Sequence, residues 1–319
     1  MPAVSATAPG KSILFGEHAV VYGQPAIAVP VTQVRAKAVV TPAVGAPAGQ
    51  IWLVAEAVGL DCALSDLPAD HPLAVVVAAV AEEIAAQEGR PFARFPALRL
   101  QITSTIPIAS GLGSGAAVSA AAARALAAFV GRPLSDEQVS RVAYRVDQIY
   151  HGTPSGIDNT VIAYAQPVFF IRGEPFQRLR VGRPVTLVIG NTGVSSPTGA
   201  VVGDLRARSQ ADPHSYEPRF EAIGAIVRQA RRCLEEGPPE ALGPLMTRNH
   251  SLLQELDVSS PALDRLAEAA LAAGAGGAKL CGGGRGGNMI ALADPASAPH
   301  IAEALRSAGA VDTIVTTVE

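Results

Sequence analysis

Residues 106–117 read Ile-Pro-Ile-Ala-Ser-Gly-Leu-Gly-Ser-Gly-Ala-Ala, a glycine-rich turn that runs directly into an alanine-rich helical stretch. Gly111, Gly113 and Gly115 let backbone N–H groups come close to an anion. The helix that follows adds its unpaired N-terminal donors and the positive end of its dipole. A cradle of this kind suits the triphosphate of a nucleotide. Glycine-rich turns also cap helices for structural reasons alone, so by itself the stretch carries both readings.

Three further stretches add side chains. Residues 8–28 read Ala-Pro-Gly-Lys-Ser-Ile-Leu-Phe-Gly-Glu-His-Ala-Val-Val-Tyr-Gly-Gln-Pro-Ala-Ile-Ala and place Lys11, Glu17 and His18 on a strand and the turn after it. An ammonium group there suits a triphosphate or a developing alkoxide, while Glu17 and His18 suit the polar groups of a small substrate. A surface lysine and a capped turn are the plain alternative. Residues 147–159 read Asp-Gln-Ile-Tyr-His-Gly-Thr-Pro-Ser-Gly-Ile-Asp-Asn. Asp147 falls near a helix C-terminus, where an acid opposes the dipole, and a nearby cation such as magnesium would account for it. Asp158, expected in an irregular loop, is placed to take or polarise a hydroxyl proton, with Lys11 keeping it ionised. In residues 276–288, Gly-Gly-Ala-Lys-Leu-Cys-Gly-Gly-Gly-Arg-Gly-Gly-Asn, five of the six positions from 282 to 287 are glycine. Glycine costs the most backbone entropy on folding, so such a cluster marks a close approach to a ligand or another backbone, or else a simple flexible turn.

These stretches need a frame to hold them. Runs of β type occur at 13–15, 26–31, 35–41, 51–54 and 98–104, and helical patterns at 71–88 and 114–130. Ser135-Asp-Glu-Gln138 has the form of a capping box and predicts a helix to about Tyr150, stopped by Gly152 and Pro154. Gly173, Pro175, Gly182 and Pro184 make 172–184 the expected boundary, dividing the chain near residue 180 into halves 1–180 and 181–319. The second half predicts a strand at 185–190 and helices at 198–209, 216–236, 240–255 and 261–273. A strand, glycine loop and strand follow over 277–293, then a helix at 296–308 and a closing strand at 311–318. The pattern is α+β with an antiparallel sheet.

Composition narrows the function. The chain has 319 residues, enough for two domains and a large core. A formal net charge of −3 without a basic stripe argues against nucleic-acid binding. Cys62, Cys233 and Cys281 have neither zinc-site nor disulfide spacing, which fits a reducing, cytoplasmic setting. The N-terminus lacks the pattern of a secretion signal. The apolar windows 73–86 and 115–130 are broken by Glu82, Glu83 or Arg124, so no membrane span is expected. The default assembly is a homodimer.

Taken together, in this order and spacing, the motifs closely resemble those of the GHMP kinases, the galactose, homoserine, mevalonate and phosphomevalonate kinases. The resemblance spans nearly the whole chain, and the strings Ala8-Pro-Gly-Lys…Gly-Glu-His-Ala-Val-Val-Tyr-Gly and His151-Gly-Thr-Pro-Ser-Gly-Ile-Asp-Asn are the specific ones. It implies a two-lobed fold: an N-terminal α/β lobe with a left-handed crossover and a C-terminal ferredoxin-like lobe. ATP would be held by Ser104 and by Ala109, Ser110, Gly111, Leu112, Gly113, Ser114 and Gly115. Asp158 would be the proton acceptor with Lys11 beside it, and Lys11, Glu17, His18 and Thr192 would contact the substrate. Within the family the strings look most like those acting on mevalonate, so the implied reaction moves the γ-phosphoryl group of ATP to the 5-hydroxyl of mevalonate. Another family kinase, or a metabolite sensor that has lost the chemistry, is the rival.

Three departures stand out. Gly115 replaces a serine that usually binds magnesium, leaving Ser114 as substitute. Asp147 replaces a metal-binding glutamate and is one methylene shorter. Arg285 and Asn288 replace the glycine and cysteine usual there, with Arg285 either touching phosphate or solvated.

Overall fold

A computed structural model describes residues 2–107, 110–151, 154–195 and 198–319. The chain folds into two compact units. One comprises Met1–Gly10, Val34–Pro107 and Gly113–Ala165; the other comprises Lys11–Gln33, Ile108–Leu112 and Gln166–Glu319. Strands β1 (Val4–Phe15) and β2 (Ala26–Pro42) therefore give residues to both.

The first unit adds β3 (Ile51–Ala55), β4 (Leu60–Ala63), α1 (Pro72–Glu88), β5 (Leu98–Ser104), α2 (Ser114–Phe129), α3 (Asp136–His151) and α4 (Ile157–Tyr164). β5 lies antiparallel to residues 36–42 of β2 and parallel to β3, which pairs antiparallel with β4. The sequence suggests two strands at 26–31 and 35–41, whereas β2 is continuous. Its first residues pair with one partner and its last with another, and Pro30 lies outside both of these registers, so its missing N–H interrupts neither ladder.

Helix α2 shows why its sequence is rich in alanine. Ala116, Ala117, Ala120–Ala123, Ala125 and Ala127 are buried, and the helix packs against α1, α3, α4 and β5. A helix covered on every side is apolar all round, and small side chains let its neighbours approach closely. The capping box at α3 forms as expected: Gln138 N–H donates to Ser135 Oγ (3.3 Å) and Ser135 N–H to Gln138 Oε1 (3.0 Å). Arg141 on α3 grips Glu83 on α1 with two hydrogen bonds of 2.9 and 2.8 Å.

The second unit adds β6 (Val168–Phe170), β7 (Gln177–Arg178), β8 (Val185–Asn191), α5 (Thr198–Ala211), α6 (Pro213–Glu236), α7 (Leu242–Glu255), α8 (Pro261–Ala272), β9 (Gly277–Cys281), β10 (Asn288–Ala293), α9 (Ala298–Ser307) and β11 (Asp312–Val318). Four of these strands form an antiparallel sheet in the order β11-β8-β10-β9. With helices between β8 and β9 and between β10 and β11, this is the β-α-β-β-α-β ferredoxin-like arrangement. β6 pairs with Ala26–Ala28 of β2 and β7 pairs with β6, so the glycine- and proline-rich stretch 172–184 lies inside the second unit. No helix among the described residues is long and apolar enough to cross a membrane.

Candidate active site

Most of the motif residues converge within the second unit. Lys11 is buried on β1, and its backbone N–H donates to Leu112 O at 2.9 Å. Ser110 O accepts from Asn288 Nδ2 at 2.5 Å. The segment 110–112 is thus fastened on one side to the first motif and on the other to the start of β10. Ala109 lies outside the described residues. Thr192, just past β8, gives both its backbone N–H and its hydroxyl to Gly287 O, each at 2.9 Å.

Glu17 and His18 occupy the turn after β1. Lys279, on β9 and fully buried, donates to Glu17 Oε1 and, at 2.7 Å, to Leu280 O. Glu17 Oε2 is also buried and has no hydrogen-bond partner among the described residues. Burial pushes the Glu17 carboxyl above its ordinary range, against the opposing pull of Lys279 and, more weakly, Lys11. His18 has φ 60, uncommon for a residue with a Cβ, and its Nε2 lies 3.0 Å from Gly283 O. Since a carbonyl only accepts, Nε2 carries the proton and Nδ1 is left as an acceptor, buried and without a partner. Burial lowers the His18 pKa to about 4, so the ring is neutral near pH 7. Two adjacent residues therefore present unpaired acceptor atoms, suited to the hydroxyl donors of a small substrate.

The glycine loop between β9 and β10 carries the Gly283 carbonyl that holds His18. Gly284 has φ +77, and a Cβ there would stand 1.9 Å from Val258 O. The Arg285 guanidinium is bonded to Asp204 Oδ2 (2.5 Å) and to Asp257 O (3.1 Å), with Asp257 Oδ2 at 3.3 Å. It is neither loosely solvated nor uncommitted; it ties the loop to α5 and to the end of α7.

The remaining expected residues lie in the first unit. Ser104 ends β5, and Ser114 and Gly115 open α2, which is preceded by Gly113 at φ 75. Asp147 is buried on α3, one turn before its end. Asp158 is not in an irregular loop but in the first turn of α4. Pro154, Gly156 and a run of Asp, Asn and Thr read as a loop, yet Ile157, Val161 and Ile162 are buried and stabilise the short helix. The neighbouring Asn159 fixes its position, donating to Ser140 Oγ at 2.8 Å on α3.

Sequence reasoning missed Lys279, Asn288 as a tether, and the pair Ser12 and Cys281, whose Oγ and Sγ lie 3.1 Å apart. A signal for Lys279 was present: it is the one charged residue in Gly-Ala-Lys-Leu-Cys, a strand otherwise small and apolar. Its partner, 262 positions away, left none.

Comparison with known proteins finds similarity over nearly the whole chain. The family described as GHMP kinases N terminal domain matches residues 74–166, and GHMP kinases C terminal matches residues 230–311. The chain is 36% identical to the mevalonate kinase of Pyrococcus furiosus, over 96% of its own length and 93% of that protein. It is also 36% identical to that of Pyrococcus horikoshii, over 98% and 94% respectively. Among solved structures it resembles L. major mevalonate kinase in complex with R-mevalonate, with a TM-score of 0.80 and 28% identity over 99% of this chain and 95% of that one.

Proposed function

Because this chain belongs to the GHMP kinase family, we infer that it transfers the γ-phosphoryl group of ATP to the 5-hydroxyl of mevalonate. The observation that carries this reading is the meeting of motifs far apart in sequence within one unit. Lys11 is bound to Leu112, Ser110 to Asn288, Glu17 to Lys279 and His18 to Gly283. The choice of acceptor is supported by near full-length identity to mevalonate kinases.

In this reading the backbone amides of residues 110–115 hold the phosphates, with the N-terminus of α2 behind them and Ser104 beside the nucleotide. Glu17 Oε2 and His18 Nδ1 accept from substrate hydroxyls, and Thr192 lines the same end through its hold on the glycine loop. Asp158 takes the proton of the attacking hydroxyl. The alcohol oxygen bonds to the γ-phosphorus as the bond to the β,γ-bridging oxygen breaks, and ADP leaves. Lys11 offsets the negative charge that gathers along this line.

Among the described residues no three His, Cys, Asp or Glu gather as a metal site. Magnesium needs no such group, since it binds through one or two carboxylates plus phosphates and water. The buried carboxylate of Asp147 and the hydroxyl of Ser114 are oxygen donors of the right kind and would hold it. When bound it supplies charge neutralisation at the phosphates.

The test is a panel of alcohol acceptors, including mevalonate, phosphomevalonate and homoserine, with ATP and magnesium. Mevalonate is expected to be the preferred acceptor. Asp158→Asn, run alongside, should lower turnover by about a hundredfold or more while leaving ATP affinity within about twofold, as expected when a general base is lost. No turnover of mevalonate by the wild type would remove the proposal. Full activity of the variant would remove Asp158 from it.

A further inference from the structure

The pair formed by Lys279 and Glu17 is the least economical contact in the second unit. Both side chains are out of water, with Lys279 at 0% exposure and Glu17 at 3%. Taking two such charges out of water is costly, and an apolar pair of similar volume is often at least as stable. Stability therefore gives little reason to place a lysine on β9, whose other residues are small or apolar. Its surroundings suggest a different reason.

The Lys279 ammonium is held at a fixed point. It donates to Leu280 O at 2.7 Å, and the N–H of the same residue donates to His250 Nδ1 at 3.2 Å. His250 Nε2 lies 3.2 Å from Asp264 Oδ1 but makes no hydrogen bond, so the connected contacts end at this ring. A chain of hydrogen bonds thus runs from α7 to β9 and ends on Glu17. There it engages Oε1 only, leaving Oε2 buried and without a partner. A clamp on one carboxylate oxygen fixes the direction of the other.

We propose that Lys279 is a positioning residue for substrate binding: it holds the Glu17 carboxylate in one orientation so that Oε2 meets a hydroxyl of the acceptor. This rests on the reading of Glu17 as an acceptor-binding residue. Lys279 itself touches no substrate, and its effect passes through Glu17.

A double-mutant cycle on the Michaelis constant for mevalonate tests this, with Lys279→Gln, Glu17→Gln and the double variant compared with the wild type. Lys279→Gln should raise the KM for mevalonate by about tenfold or more and leave the KM for ATP within about twofold. The double variant should match Glu17→Gln within about twofold, because Lys279 has nothing left to orient. Independent, multiplying losses would overturn the proposal, as would equal losses toward both substrates. If Lys279→Gln does not fold, Glu17→Gln and the double variant decide alone. Once Glu17 carries no charge, removing Lys279 should leave the KM for mevalonate unchanged, and a further tenfold loss would overturn the proposal. A wild type that prefers another alcohol refutes the choice of acceptor without touching the coupling, which is then read on that alcohol. A Glu17→Gln variant with an unchanged acceptor KM refutes the reading of Glu17 on which the coupling stands.

Discussion

At the scale of single residues, burial rather than residue type decides the chemistry of the turn after β1. A histidine in water is half protonated near pH 6.5, but His18 is 5% exposed and its pKa falls to about 4. Its ring can therefore offer a lone pair at Nδ1 throughout the neutral range. The sign of the linked stability effect follows. Between pH 6.5 and 4 the unfolded chain binds a proton at this position that the folded chain does not. The stabilisation is complete above the unfolded pKa and is lost as pH falls through this window, by about 3 kcal/mol in total. Glu17 and His250 titrate abnormally too, so the effect is best isolated by difference. His18→Asn suits this, because asparagine tolerates the positive φ better than most residues. Denaturant unfolding at a series of pH values should show the wild type losing about 3 kcal/mol relative to this variant between pH 6.5 and 4. Parallel stability curves would show that the ring takes up its proton equally in the folded and unfolded chains.

At the scale of elements, what could be read from the sequence was whatever is specified locally. Helix α3 announced itself by its Ser135–Gln138 capping box, α2 by a Gly113 start and an alanine-rich stretch, and the four-stranded sheet by its alternation of strands and helices. Elements defined by distant partners were hidden. Helix α4 depends on burying Ile157, Val161 and Ile162, which offsets a first turn rich in loop-forming residues. β6 has three residues and takes its identity from Ala26–Ala28 on β2, and β2 itself looked divided because its pairing partner changes along its length. The glycine loop was visible as a loop, but not the reason for each glycine. Gly282 and Gly284 both have positive φ, yet a Cβ at 282 would meet nothing within 4 Å, whereas one at 284 would strike Val258 O. That carbonyl already accepts from Arg285 N–H at 2.8 Å and cannot move without breaking this bond. Gly282→Ala should cost about 1–2 kcal/mol, the strain of a left-handed residue alone, and Gly284→Ala about 3 kcal/mol or more. Equal losses in chemical denaturation would mean that the loop relaxes freely and does not brace the turn after β1.

At the scale of the whole molecule, the second unit is not the C-terminal part of the chain. It is completed by Lys11–Gln33 and Ile108–Leu112, and these segments supply partners that the core requires. Glu17 neutralises Lys279, and Ser110 O receives the Asn288 amide. Tyr22 stacks on Phe220 with ring centroids 3.9 Å apart, and its hydroxyl accepts from Ser209 Oγ at 3.2 Å. Removing Glu17 alone leaves a buried ammonium unpaired, a penalty of about 3–5 kcal/mol, against a total stability of roughly 5–15 kcal/mol for an ordinary domain. A fragment of residues 181–319 would lose all of these contacts together with β6 and β7. It should therefore fail to fold although it contains every strand of the ferredoxin-like sheet. Circular dichroism during heating and amide proton dispersion check this, and a cooperative melt with dispersed resonances would show the sheet to be self-sufficient. Failure to fold would tie the proposed site to folding directly, because the segments that complete this core are the same ones that carry Lys11, Glu17, His18 and part of the glycine-rich turn.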